Sequence, residues 1–210
     1  MKLSNVQIYD LDESIIASGY PMRTKLMDSE IDSAAIKRAL GLVEASSEDG
    51  AHGQWLTGVR VAFDLTCTNK MWVEAERYRF FEFVSSQSTM HRITKFDVEK
   101  QCNSYVDERI ISVVNELIRE YKESNTTQNY LKVLYNIPSG FELTARITTN
   151  YRCLLNIYTQ RHNHRLPEWR EFCDYMYNNL PLFKDIVDAY NHNFDYSKLD
   201  NVEEQLKVDI

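Results

Sequence analysis

The 210-residue sequence predicts an α+β fold, with an antiparallel or mixed sheet flanked by long helices. Three observations predict it. Val59, Val61, Phe63 and Leu65 alternate with Gly58, Arg60, Ala62 and Asp64, which gives one apolar face at the period of a strand. Phe141 to Thr149 alternates in the same manner. Ile110, Val113, Val114, Leu117 and Tyr121 instead make a single stripe at helical spacing.

In chain order, residues 1–30 mix short apolar stretches with Gly19 and Pro21, which suits a short strand and a short helix. Ser33 to Val43 has helical periodicity, ending near Gly41, and Ala45 to Gly53 has the composition of a loop. Trp55 to Thr68 is the strongest strand pattern. Asn69 is placed to cap a helix running through about Val84. Ser85 to Phe96 is polar and has neither period. Asp107 to Tyr121 is a helix, Glu123 to Gln128 a loop, and Tyr130 to Tyr135 a short apolar segment. The Phe141 strand leads directly into a helix at Asn150. A loop at His162 to Pro167 precedes a helix from Glu168 to Tyr177, and Pro181 opens a last helix to about Tyr190.

Composition narrows the class. Hydrophobic residues are 43% of the chain, enough for a core, and no Gly/Ser/Pro linker divides it. A single domain over 1–195 is expected, with its core at 55–181 and a polar tail at 196–210. A net charge of -7 argues against a nucleic-acid polymer as partner, although a local basic cluster could still hold one phosphate. The 13 tyrosines offer aromatic faces for packing subunits or stacking on planar ligands. Cys67, Cys102, Cys153 and Cys173 lack zinc-ribbon spacing and read as reduced thiols of a cytoplasmic protein. The first residues lead into acidic positions rather than an apolar run, so neither a signal peptide nor a membrane span is expected. Arg161-His162-Asn163-His164-Arg165 spells the letters of a nuclease motif, but contiguously in a loop. It is read as a polar connection, and no metal site is expected.

Two segments carry polar residues that periodicity leaves unexplained. Gln87-x-x-Met90-His91-Arg92 packs a histidine, an arginine and several hydroxyls into a stretch that is neither helix nor strand. In the Asn150 helix, Arg152 and Asn156 stand one turn apart, while Arg161 comes round to the side of Asn150 and Leu154. An arginine beside an apolar face needs an anion, a carbonyl or a carboxylate. The plainer reading of the same helix is an amphipathic element with two exposed arginines.

Together, Gln87-x-x-Met90-His91-Arg92 and Asn150-x-Arg152-x-x-x-Asn156-x-x-x-x-Arg161 resemble the flavin-dependent thymidylate synthases. That family has a Gln-x-x-Arg-His-Arg signature and, after a Leu-Pro turn and a strand, an Asn-x-Arg that opens a helix. Ile137-Pro138 stands at the position of the turn, and the resemblance spans roughly Trp55 to Pro181. It implies that His91, Arg92, Asn150, Arg152 and Asn156 contact FAD, that Gln87 lies at the nucleotide, and that Arg161 polarises the pyrimidine. It implies FAD-dependent methylation of dUMP or a related deoxypyrimidine nucleotide, with methylenetetrahydrofolate as carbon donor and NADPH as reductant, in a homotetramer. The sequence departs from the family at Met90, where the signature has arginine, and between Lys95 and Tyr105, where the phosphate-gripping Ser-x-Arg has no equivalent. Lys95 or Lys100 would there supply a point charge without the arginine fork. The alternatives are a relative that binds flavin or nucleotide without methyl transfer, and an unrelated α+β interaction protein.

Overall fold

Hydrogen-bonding needs at the element ends decide where several segments begin and stop. A computed structural model describes residues 1–25 and 31–199 of the chain. Its elements are β1 (Lys2–Tyr9), α1 (Leu11–Ala17), α2 (Ser33–Asp49), β2 (Arg60–Thr68), α3 (Asn69–Ala75), β3 (Glu82–Ser86), α4 (Thr89–Arg92) and α5 (Val98–Gln101). There follow α6 (Glu108–Glu123), α7 (Thr127–Tyr135), β4 (Glu142–Asn150), α8 (Tyr151–Arg161), α9 (Pro167–Asn179) and α10 (Phe183–Tyr190). Short 3-10 turns lie at Tyr20–Met22, His52–Thr57 and Ile93–Lys95. The strands form one four-stranded sheet in the order β1-β2-β4-β3, and β3 pairs antiparallel with β4. The α+β class is as the sequence predicts.

The chain divides into two compact units. The first comprises Met1–Val6 and Ala62–Thr148. Its helical core gathers Ile93, Val98, Val114, Ile118, Val133 and Phe141. Val114 and Ile118 are the inward positions of the α6 stripe, while Ile110 and Val113 remain exposed. Among the described residues, the second unit comprises those of Gln7–Val61 and of the chain from Thr149 on. Within it α2 packs on α10 and on the 52–57 turn, and α8 packs on the same turn and on α9. Tyr151, Trp169, Phe172 and Phe183 fill its centre. Burial pushes the Tyr151 hydroxyl well above the usual tyrosine range, and that hydroxyl donates to the Pro181 carbonyl at 2.8 Å.

Several boundaries differ from the sequence expectation. The segment Ala45–Asp49 is not a loop: α2 runs on to Asp49 and ends at Gly50, whose φ of 72° is the left-handed stop that glycine takes without penalty. Trp55 to Gly58 is not strand. Trp55 is buried in the 3-10 turn, donating its indole N–H to the Ala39 carbonyl at 3.2 Å, and β2 begins only at Arg60. The cap of α3 is Thr68 rather than Asn69, its hydroxyl accepting from the Met71 amide at 3.2 Å. That helix stops at Ala75 instead of running to Val84, and Glu82–Ser86 becomes β3. The Phe83 ring lies 4.7 Å from that of Trp72, so an aromatic stack fixes the strand that helical spacing mistook for more helix. Thr126 caps a full helix, α7, where a loop and a short apolar segment were expected. No helix among the described residues is long and apolar enough to cross a membrane. The tail expected at 196–210 lies outside the described residues from 200 on.

Candidate functional site

The unexplained polar residues fall into two sets, one in each unit. In the second unit, four of them lie on α8 and at its cap. Asn150 is extended and buried, and its Oδ1 accepts from the Cys153 amide at 2.9 Å. This is an N-cap bond, worth about 1 kcal/mol. One turn on, Arg152 donates Nη2 to the Gly50 carbonyl, which ties α8 to the turn where α2 ends. Its Nη1 is buried and has no partner among the described residues. A Cβ on Gly53 would approach that nitrogen to 2.7 Å, so glycine there makes room for the guanidinium. Asn156 is exposed and accepts from Gln160 Nε2 at 2.8 Å.

Arg161 closes the helix and, unlike Arg152, is buried, at 9% exposure. Its guanidinium carbon stands 5.1 Å from the Trp169 ring centroid, a cation–π distance. Its Nη1 lies 2.8 Å from His164 Nε2. The Leu166 amide approaches Nδ1 of the same ring at 3.2 Å. A neutral imidazole has one acceptor nitrogen, so the two donors compete for it. Nearby, burial pushes the Cys173 thiol up to about 12; Asp174 adds to the rise and Arg161 opposes it. A cation at the last turn of α8 also complements the helix dipole.

The first unit holds the other set. Gln87 follows β3 directly and prolongs its pairing twice. Its amide donates to the Thr144 carbonyl at 2.9 Å, and its Oε1 accepts from the Thr144 amide at 2.9 Å. His91 and Arg92 stand on α4, both exposed, and among the described residues neither side chain has a hydrogen-bond or ion-pair partner. Met90 is 57% exposed, while its carbonyl accepts from the Tyr130 hydroxyl. Lys100 is committed to Asp97 at 2.9 Å, a bond that raises the ammonium and lowers the carboxyl. Its charge is therefore partly cancelled at home.

A cavity of about 790 Å³ in the second unit has no counterpart in the sequence pattern. Arg38 and Leu42 of α2 line it with Met22, His52, Trp55 and Gly58. Its floor is mostly apolar. Arg38 donates Nη2 to the Ile15 carbonyl at 3.3 Å, and its Nε is buried without a partner among the described residues. Each such buried, unmade donor costs on the order of 1–3 kcal/mol. Arg38 and Arg152 thus both hold a dry guanidinium nitrogen, and Arg152 grips the Gly50 end of the turn whose Ala51 and His52 line the cavity. The unsatisfied cationic donor of Arg38 in the wall of a largely apolar cavity fits a cofactor that is both planar and anionic, as FAD is. Among the described residues no cluster of three metal-ligating side chains is placed to hold a metal ion.

Solved structures supply the comparison. The chain is similar in fold to the flavin-dependent thymidylate synthase ThyX from Helicobacter pylori complexed with FAD and dUMP. The TM-score is 0.69 and the identity 14%, over 93% of this chain and all of that one. A second structure of ThyX from Helicobacter pylori, with FAD and dUMP, gives 0.69 at 17% identity, covering 89% of this chain and 99% of that one. A UMP/dUMP methylase, PolB, from Streptomyces cacaoi bound with 5-Br dUMP, gives 0.62 at 14% identity, covering 93% and 97%. No protein-family model matches the sequence, nor does any curated protein. The chain has the fold of the flavin-dependent thymidylate synthases.

Proposed function

We propose that the protein is an FAD-dependent methylase of dUMP or a related deoxypyrimidine nucleotide, with methylenetetrahydrofolate as carbon donor, NADPH as reductant and a homotetrameric assembly. One observation carries the reading. The ungapped series Asn150, Arg152, Asn156 and Arg161 stands on a single helix, in a chain whose fold is that of ThyX along nearly its whole length. Bound and reduced, FAD supplies the hydride that turns the transferred methylene into a methyl, with NADPH as the source of its electrons.

The chain's own residues bind and orient. Arg152 and Asn156, with the exposed His91 and Arg92, are the side chains to hold the cofactor. Asn150 acts through the helix it caps, fixing the direction in which α8 presents the others. Gln87 and Lys100 are proposed at the nucleotide. Arg161, held on Trp169 and His164, sets a positive charge for the pyrimidine carbonyl as the ring becomes electrophilic. No cysteine is required as nucleophile, in keeping with three buried thiols and one, Cys102, whose thiol burial raises.

Two measurements test this in order. Purified protein should show the visible absorbance of a flavin or take up added FAD; a colourless protein that does neither overturns the reading. The pyrimidine C5 gains the methylene carbon and loses its hydrogen as a proton, so dUMP tritiated at C5 should release tritium. A second reading, a relative that binds flavin or nucleotide without methyl transfer, is favoured by Met90 and by the enclosure of Arg161. Flavin uptake without tritium release from any deoxypyrimidine nucleotide would establish it.

A further inference from the structure

Arg38 is poorly accounted for by its own surroundings. No Asp or Glu lines the cavity of the second unit among the described residues, and the cavity's His52 is already paired with Asp49 at 2.9 Å. Among the described residues Arg38 therefore meets no carboxylate in the wall of this largely apolar cavity. Its bond to the Ile15 carbonyl is long at 3.3 Å, and its Nε has no partner among the described residues. The guanidinium is nevertheless held in place. It lies close against Gly19, where a Cβ would come within 2.8 Å of its central carbon. Holding a cation against a glycine, with no counter-charge among the described residues, in the wall of a largely apolar cavity is unfavourable unless something anionic completes it.

We propose that Arg38 is the phosphate anchor of this cavity, which takes a flavin nucleotide with its ring system on the apolar wall of Leu42, Trp55 and Met22 and a phosphate on the Arg38 guanidinium. This rests on the flavin reading above and adds a residue to it that lies outside both polar segments of the sequence. Arg152, proposed above to hold the cofactor, also fixes the turn that supplies Ala51 and His52 to this cavity.

The test compares riboflavin, FMN and FAD, by equilibrium binding to the full chain as wild type, Arg38→Gln and Arg38→Lys. Riboflavin has the ring system without phosphate, so its affinity reports whether a variant is folded and the apolar wall intact. The wild type should bind FMN and FAD more tightly than riboflavin. Arg38→Gln should lose about 10- to 100-fold in affinity for the two phosphorylated ligands, the usual range for a charge-assisted bond. It should keep riboflavin affinity, and Arg38→Lys should fall between. Wild-type phosphate preference in Arg38→Gln, or an equal loss for all three ligands, overturns the role of Arg38 alone. A wild type that binds no flavin overturns both this inference and the proposed function.

Discussion

The guanidinium of Arg161 sits 5.1 Å from the Trp169 ring and 2.8 Å from His164 Nε2, so α8 and α9 meet across a buried cation. The residue that the sequence pattern assigns to the substrate is thus also part of the packing of the second unit. The two roles separate by measurement. Arg161→Lys keeps the charge but loses the planar face and the fork. It should lower unfolding free energy by about 1–3 kcal/mol in denaturant titration, the usual scale for losing a hydrogen bond to a charged group. Under conditions where the variant is fully folded, methyl transfer should still fall by tenfold or more while FAD affinity stays within twofold. Wild-type turnover in the folded variant would leave Arg161 as packing alone.

Arg152 and Gly53 are coupled in the same way. A Cβ at Gly53 would stand 2.7 Å from Arg152 Nη1 and 2.9 Å from Ser46 Oγ. Gly53→Ala should destabilise the protein by about 1–3 kcal/mol, the range for overpacking. Arg152→Ala removes the first of these contacts, so the double variant should cost less than the sum of the singles. Thermal unfolding of the four proteins measures the coupling. Strict additivity would mean that the guanidinium does not occupy the space beside Gly53.

What could be read from the sequence follows from how local each feature is. The α8 series was legible because cap, stripe and polar residues all repeat on one element with one period. The sequence fold class was legible for the same reason, from β4 and α6. β3 was not, because Phe80, Phe81 and Phe83 fit helical spacing as well as a strand, and only the Trp72 stack decides between them. The end of α2 was missed because Ser46 and Ser47 suggest a loop. In the helix their hydroxyls donate back to the Val43 and Glu44 carbonyls at 2.7 Å, which lets serine remain helical. The cavity could not be foreseen. Its wall draws on α1, α2 and the 52–57 turn, and Arg38 looks like any helical arginine until the Ile15 carbonyl and Gly19 are beside it.

The segment after α10 returns to α2 through ionisable groups, which makes its attachment pH-dependent. The Tyr196 hydroxyl donates to Glu44 Oε2 at 2.6 Å, His192 Nδ1 lies 3.1 Å from Oε1, and His192 Nε2 lies 3.0 Å from Ser47 Oγ. The bonds from Tyr196 and then His192 hold the Glu44 carboxyl below its usual 4.5. A depressed acid stabilises the fold above its unfolded value and loses that contribution as pH falls through the folded one. Melting temperature should therefore drop more steeply below about pH 4.5 in wild type than in Glu44→Gln. Burial and the Glu44 bond raise the Tyr196 hydroxyl. Its contribution is present below the ordinary tyrosine value of 10.0 and is lost as pH climbs past it. Tyr196→Phe should flatten the alkaline limb only in part, because Tyr151 is raised by burial as well. Identical acid and alkaline limbs in the variants and the wild type would mean the segment is not bound through these groups.

Met90 offers a gain of function rather than a loss. It stands on α4 beside His91 and Arg92, whose side chains lack partners among the described residues, and its own side chain is more than half exposed. The resemblance puts arginine at this position, and an exposed site accepts that change with little effect on folding, about 0.5 kcal/mol or less. Met90→Arg adds a bidentate phosphate donor to a stretch where Lys100 is already paired with Asp97. If the first unit holds a phosphorylated ligand at α4, the variant should bind FAD or dUMP about 5- to 50-fold more tightly at low salt. The gain should shrink as ionic strength rises, since the added contact is a solvent-exposed charge. Calorimetric titration of both ligands at two salt concentrations checks this. A folded variant with unchanged affinity for each would place the phosphate-holding surface away from α4 and leave the reading dependent on the second unit.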